Sequence, residues 1–260
     1  MSAPLVVGVP LGGPDEAPLL LVGPSLGTSA DTLWSAAAVP LSEHLRVVGW
    51  DLPGHGRHRH DVAAFTIGDL AAGVLRLADV LAPGQPFHYA GDSVGGAVGL
   101  QLLLDAPERV ATATVLCTGG RIGTEDAWRD RAATVRAAGT ASMVEGSAQR
   151  WFAPGFIERE PAVASALLHA LRDTDAEGYA RTCEALATFD LTGRLAEITV
   201  PVLAVAGAHD QPTPPALLAE IADAAQHGRL VVLDDVAHLA PAEAPHAVAR
   251  LVLDHAGVTR

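Results

Sequence analysis

The sequence predicts an α/β fold: a mostly parallel, doubly wound sheet with helices on both faces and a helical cap inserted in its second half. Three observations point there. Short apolar runs alternate with stretches of helical period. The runs lack polar alternation, as strands buried on both faces do. One stretch of about 70 residues, 121–190, carries no run of strand type and is too long for a single crossover.

Taken in order, the opening residues through Val9 are expected to add an antiparallel edge strand, ahead of the first buried run at 19–22. The loop Gly23-Pro24-Ser25-Leu26-Gly27-Thr28 separates that run from a helix at 31–38. A run at 45–50 and a helix at 68–81 follow, then a run at 87–90, a helix at 94–104 and a run at 111–117. Gly139, Gly146, Pro154-Gly155 and Pro161 punctuate the helical stretch, which reads as a cap over the active edge of the sheet. Runs at 202–206 and 229–233, with helices at 215–226 and 242–253, complete the pattern. The expected division is a core of 1–120 and 191–260 with a cap of 121–190.

Composition narrows the chemistry. The formal charge of −13 argues against nucleic acid and anionic membrane surfaces as partners. Every basic residue is arginine, so a Schiff-base lysine and a Walker-type phosphate loop are excluded. Two cysteines, Cys117 and Cys183, make no disulfide framework, and no apolar stretch is long enough to span a bilayer. The expectation is a cytoplasmic protein.

The most informative segment is Gly91-Asp92-Ser93-Val94-Gly95-Gly96, set between the run at 87–90 and the helix at 94–104. A serine on a sharp strand-to-helix turn needs small neighbours, because its backbone is held in a sparsely populated conformation. Gly91 and Gly95 remove clashing side chains, and Gly96 lets the helix approach the strand closely. The turn exposes the hydroxyl at a helix N-terminus, where developing negative charge is favoured. Ser93 is therefore the candidate nucleophile.

A serine needs a base, and the base an orienting carboxylate, on loops after later strands. Asp210 follows the run at 202–206, and His238 follows the run at 229–233. Asp234 and Asp235 compete for the acid role, but Asp210 sits on the better-placed loop. His209 neighbours the acid rather than facing it, which favours His238. The expected oxyanion donors are the N–H of Val94 and that of Leu26, with Gly27 freeing the backbone to turn Leu26 inward. His55, His58, His60 and Asp61 form no recognised metal spacing and read as a solvated loop. No metal is expected.

These residues resemble the α/β-hydrolase family. Asp51-Leu52-Pro53-Gly54-His55-Gly56 is similar to its D-x-x-G-H-G loop, and His238 through Pro245 to its H-x-x-x-x-E-x-P stretch. Within the family, five segments resemble the enol-lactonase branch: Ser25-Leu26-Gly27-Thr28, Gly91 to Ala97, Trp128-Arg129-Asp130-Arg131, Arg150-Trp151-Phe152 and Ala206 to Asp210. Gly23-Pro24 and His58 depart from that pattern. The resemblance implies a small anionic lactone as substrate, opened through an acyl-enzyme to 3-oxoadipate in aromatic-compound catabolism, with no cofactor. It places Ser25, Trp128, Arg131 and Trp151 at the substrate, and the spacing of Trp128 and Arg131 puts an apolar wall beside a cation on one helix face. Arg150 is a second candidate for the substrate carboxylate. Two alternatives stand beside this: another ester or lactone hydrolase with the same triad, and a ligand-binding protein on the same scaffold. Oligomeric state is left open.

Overall fold

The computed structural model describes residues 6–58 and 63–258. Its first part runs β1 (Gly8–Gly12), β2 (Leu19–Gly23), α1 (Ala30–Leu41), β3 (Arg46–Trp50), α2 (Ile67–Leu81), β4 (Phe87–Asp92), α3 (Val94–Asp105) and β5 (Val110–Leu116). Helices α4 (Glu125–Ala138), α5 (Val144–Trp151), α6 (Phe156–Arg159), α7 (Pro161–Arg172) and α8 (Ala176–Ala187) follow. The chain then returns to the sheet with β6 (Val202–Gly207), α9 (Pro215–Ala224), β7 (Gly228–Leu233), α10 (Ala240–Glu243) and α11 (Pro245–Ala256).

The sheet order is β1-β3-β2-β4-β5-β6-β7, with β1 antiparallel and every other pairing parallel. The central strands β2 and β6 are buried at every position, which is why their sequences are unbroken apolar runs. Register matters for the site. Asp92 pairs with Leu116, Leu116 with Val205, and Gly207 with Leu233. The strands therefore end together, and the loops after β4, β6 and β7 open at one edge.

Three expectations need correction. The antiparallel edge strand is present but begins at Gly8 and runs past Val9 to Gly12, and residues 1–5 lie outside the described residues. β7 is not covered on both faces: Leu230 and Val232 are 37% and 40% exposed, because the strand is the sheet's last and has β6 alone beside it. The single helix expected at 242–253 is two helices. Pro245 disfavours helical geometry at the residue before it, and Ala244 sits at φ −136°, ψ 57°.

Candidate active site

Ser93 occupies φ 53°, ψ −113°, a conformation L-residues rarely adopt. Its neighbours hold it there. The Ser93 N–H donates to the Leu116 carbonyl at 2.8 Å, and the Thr118 hydroxyl donates to the Ser93 carbonyl at 2.8 Å. A side chain at Gly95 would stand 2.6 Å from the carbonyl carbon of Gly23, and one at Gly91 would stand 2.3 Å from the Gly95 oxygen. Both positions require glycine sterically. Gly96 admits Thr118, whose Cβ would lie 2.7 Å from an added Cβ; the close approach is to the loop after β5 rather than to a strand.

The loops after β6 and β7 bring the other two candidates to this turn. His238 Nε2 lies 3.0 Å from Ser93 Oγ, and His238 Nδ1 lies 3.0 Å from each Asp210 carboxylate oxygen. All three residues are buried. A carboxylate only accepts, so the ring proton belongs on Nδ1 and Nε2 is left to accept the serine proton. Asp210 also accepts from Thr213, at 2.9 Å from its N–H and 2.7 Å from its hydroxyl. Asp234, Asp235 and His209 are exposed.

Val94 opens α3, so its N–H is among those a helix leaves unpaired. The Gly95 N–H donates to the Pro24 carbonyl at 2.9 Å, tying the start of α3 to the loop of Ser25 and Leu26. Thr28 closes that loop, its hydroxyl donating to the Ser25 carbonyl and accepting from the Ser25 N–H. Gly27 has φ +84° and lies against Leu171, Trp151 and Tyr179, so a side chain there is excluded twice over.

A cavity of ≈ 340 Å³ opens onto Ser93 and His238. Ser25, Leu26, Trp128, Arg131, Arg150, Trp151 and Tyr179 line it. The Arg131 guanidinium stacks 4.8 Å from the Trp128 ring centroid. Burial and the nearby Arg131 charge both push the Arg150 pKa down, so two cations share one partly dry wall. Burial raises the Tyr179 pKa, and its hydroxyl interacts with Arg131.

His55 and His58 are buried and do not face solvent, contrary to expectation. His55 stacks on Tyr179 with its Nδ1 3.0 Å from the Pro53 carbonyl. Burial lowers the His55 pKa to about 4. His60 and Asp61 lie outside the described residues. Among the described residues no group of three or more His, Cys, Asp or Glu side chains is placed to hold a metal, and no helix is long and apolar enough to cross a membrane.

Sequence reasoning missed Thr213, which had no signal beyond its nearness to Asp210. It also missed Tyr179, indistinguishable in the sequence from a core aromatic. Asp92 was read only as part of the turn. It is fully buried beside the Cys117 thiol, and its carboxylate oxygens find no regular hydrogen-bond partner among the described residues. Burial, then the charges of Asp210 and Glu243, raise its pKa well above the ordinary value.

Comparison with known proteins identifies the family. The family model described as alpha/beta hydrolase fold matches residues 18–245. 3-Oxoadipate enol-lactonase 2 of Acinetobacter baylyi is 36% identical, with 90% of this chain and 87% of that protein covered. A protein named putative carbamate hydrolase RutD from Variovorax paradoxus is 32% identical, over 78% and 77% of the two chains. The crystal structure of the enol-lactonase from Burkholderia xenovorans LB400 superposes with a TM-score of 0.91 at 32% identity, over 96% and 95% of the chains. The chain belongs to the α/β-hydrolase family.

Proposed function

We propose that this hydrolase opens a small enol-lactone bearing a carboxylate, of the 3-oxoadipate enol-lactone type, through an acyl-enzyme on Ser93. The observation that carries the substrate class is the pair Arg131 and Arg150 on the wall of the cavity that holds Ser93. An acidic protein that keeps two arginines together beside a nucleophile is built to receive an anion. The enol-lactonase relatives support the same reading.

In this mechanism His238 Nε2 takes the Ser93 proton as Oγ attacks the lactone carbonyl. The N–H groups of Leu26 and Val94 face the oxyanion. Collapse breaks the ring C–O bond, and the enol oxygen takes the proton back from His238. The ring-opened chain remains an ester of Ser93. A water, deprotonated by His238, then releases the acid, and the enol tautomerises to the ketone. An enol leaves more readily than an alkoxide, so His238 has a modest task as general acid. Ser25, Trp128 and Trp151 form the remaining substrate wall. The activity belongs in the cytoplasm, in the breakdown of aromatic compounds.

The test compares the enol-lactone, followed by loss of ultraviolet absorbance, with neutral p-nitrophenyl esters. Higher kcat/KM for the lactone is expected. Neutral esters turning over much faster would refute the substrate class. A folded protein that a fluorophosphonate fails to label at Ser93 would refute the nucleophile and favour the ligand-binding alternative.

A further inference from the structure

Glu243 ends α10, five residues after His238, and its side chain returns to the loop that carries the histidine. Oε1 accepts from the N–H of Ala237 at 3.0 Å and of Leu239 at 3.4 Å, the residues on either side of His238. Oε2 accepts from the N–H of Ala153 at 2.7 Å. Ala153 lies two residues past α5, whose last residues, Arg150 and Trp151, line the cavity. The backbone makes a parallel tie, with the His238 N–H donating to the Trp151 carbonyl at 3.1 Å. On the sheet side the same loop is held by other groups: the His209 N–H donates to the Val236 carbonyl, and the Cys117 thiol donates to the Ala237 carbonyl.

Ala153, Ala237 and Leu239 are all buried, so their N–H groups need acceptors inside the protein. One carboxylate supplies acceptors in two directions at once. An amide has a single acceptor oxygen and turns N–H groups toward the other side, so it must leave part of the bridge unmade.

We propose that Glu243 is a positioning residue: it fastens the segment bearing Arg150 and Trp151 to the loop bearing His238, so that one carboxylate keeps the base and the substrate wall in register. This rests on the reading of His238 as the base. The consequence is catalytic, because a base displaced by about 1 Å loses up to a hundredfold in rate.

Glu243→Gln keeps the shape of the side chain and Glu243→Ala removes it. Both are compared with wild type on a neutral p-nitrophenyl ester and on the enol-lactone, well below the unfolding transition of each variant. The expected result is a kcat lowered about ten- to a hundredfold on both substrates, with Ala worse than Gln. Fluorophosphonate labelling of Ser93 slows in parallel. KM rises for the anionic lactone more than for the ester, because Arg150 moves with Ala153. A lowered melting temperature with kcat and labelling rate unchanged in Glu243→Gln would overturn the proposal and leave Glu243 a packing residue. If wild type cleaves esters but not the lactone, the substrate class fails, and the ester and labelling results still decide the role of Glu243.

Discussion

Asp210→Asn is the sharpest probe of the site, because it changes a charge and almost nothing else. Asp210 holds four contacts: two from Thr213 and two to His238 Nδ1, at 2.7 to 3.0 Å. In the variant the amide oxygen must face the Thr213 N–H, since the opposite orientation sets two donors against each other. The NH2 group then competes for His238 Nδ1 and favours the tautomer with its proton on Nε2, which cannot accept from Ser93. Any imidazolium that still forms has lost its counter-charge. Unit charges ~4 Å apart at an effective dielectric of ~20 interact by about 4 kcal/mol. At ~1.4 kcal/mol per decade that is about a thousandfold, and the tautomer shift extends the expected loss toward ~10⁴. The assay is kcat on a p-nitrophenyl ester, with thermal unfolding alongside to show that the fold survives. A folded Asp210→Asn variant within tenfold of wild-type kcat would refute this account of the base.

Three further predictions follow the same logic. Arg131→Ala and Arg150→Ala each raise KM for the anionic lactone more than for a neutral ester, and equal effects on both substrates would remove the arginines from the site. His55 favours its neutral form in the native state, with a pKa of about 4 against 6.5 unfolded. Its stabilisation is whole above pH 6.5 and is lost as pH falls toward 4, by about 3 kcal/mol. Urea unfolding should show that acid loss flattened in His55→Gln, and parallel pH profiles for variant and wild type would count against it. Asp92 has the opposite sense: its raised pKa leaves the native state most stable while the carboxyl is protonated and weakens it as pH rises. Asp92→Asn should therefore gain more in melting temperature over wild type at pH 8 than at pH 4, and a constant difference would refute it.

What could be read along the chain had short-range causes. Ser93 announced itself because a strained strand-to-helix turn demands Gly91 and Gly95 within two residues, and steric demands of that kind are written locally. Asp210 and His238 were found by counting strands, since a parallel sheet delivers the loop after each strand to one edge. β2 and β6 were visible as unbroken apolar runs because both of their faces are covered. β7 showed the limit of that reasoning: its run Leu230-Val231-Val232-Leu233 looks the same in sequence, yet a last strand has one neighbour fewer to cover it.

Order along the chain was enough to predict an α/β sheet, a candidate nucleophile and the order of the loops that bring Asp210 and His238 beside it, because these depend on periodicity and on turns a few residues long. Tertiary packing alone decided that Arg131 on α4 and Arg150 on α5 share a wall, that His55 is buried against Tyr179, and that Glu243 meets Ala153 ninety residues before it. Those contacts arise from how separate helices settle on one another. No repeat or spacing encodes them, since each depends on the summed fit of many side chains rather than on any neighbour in the chain.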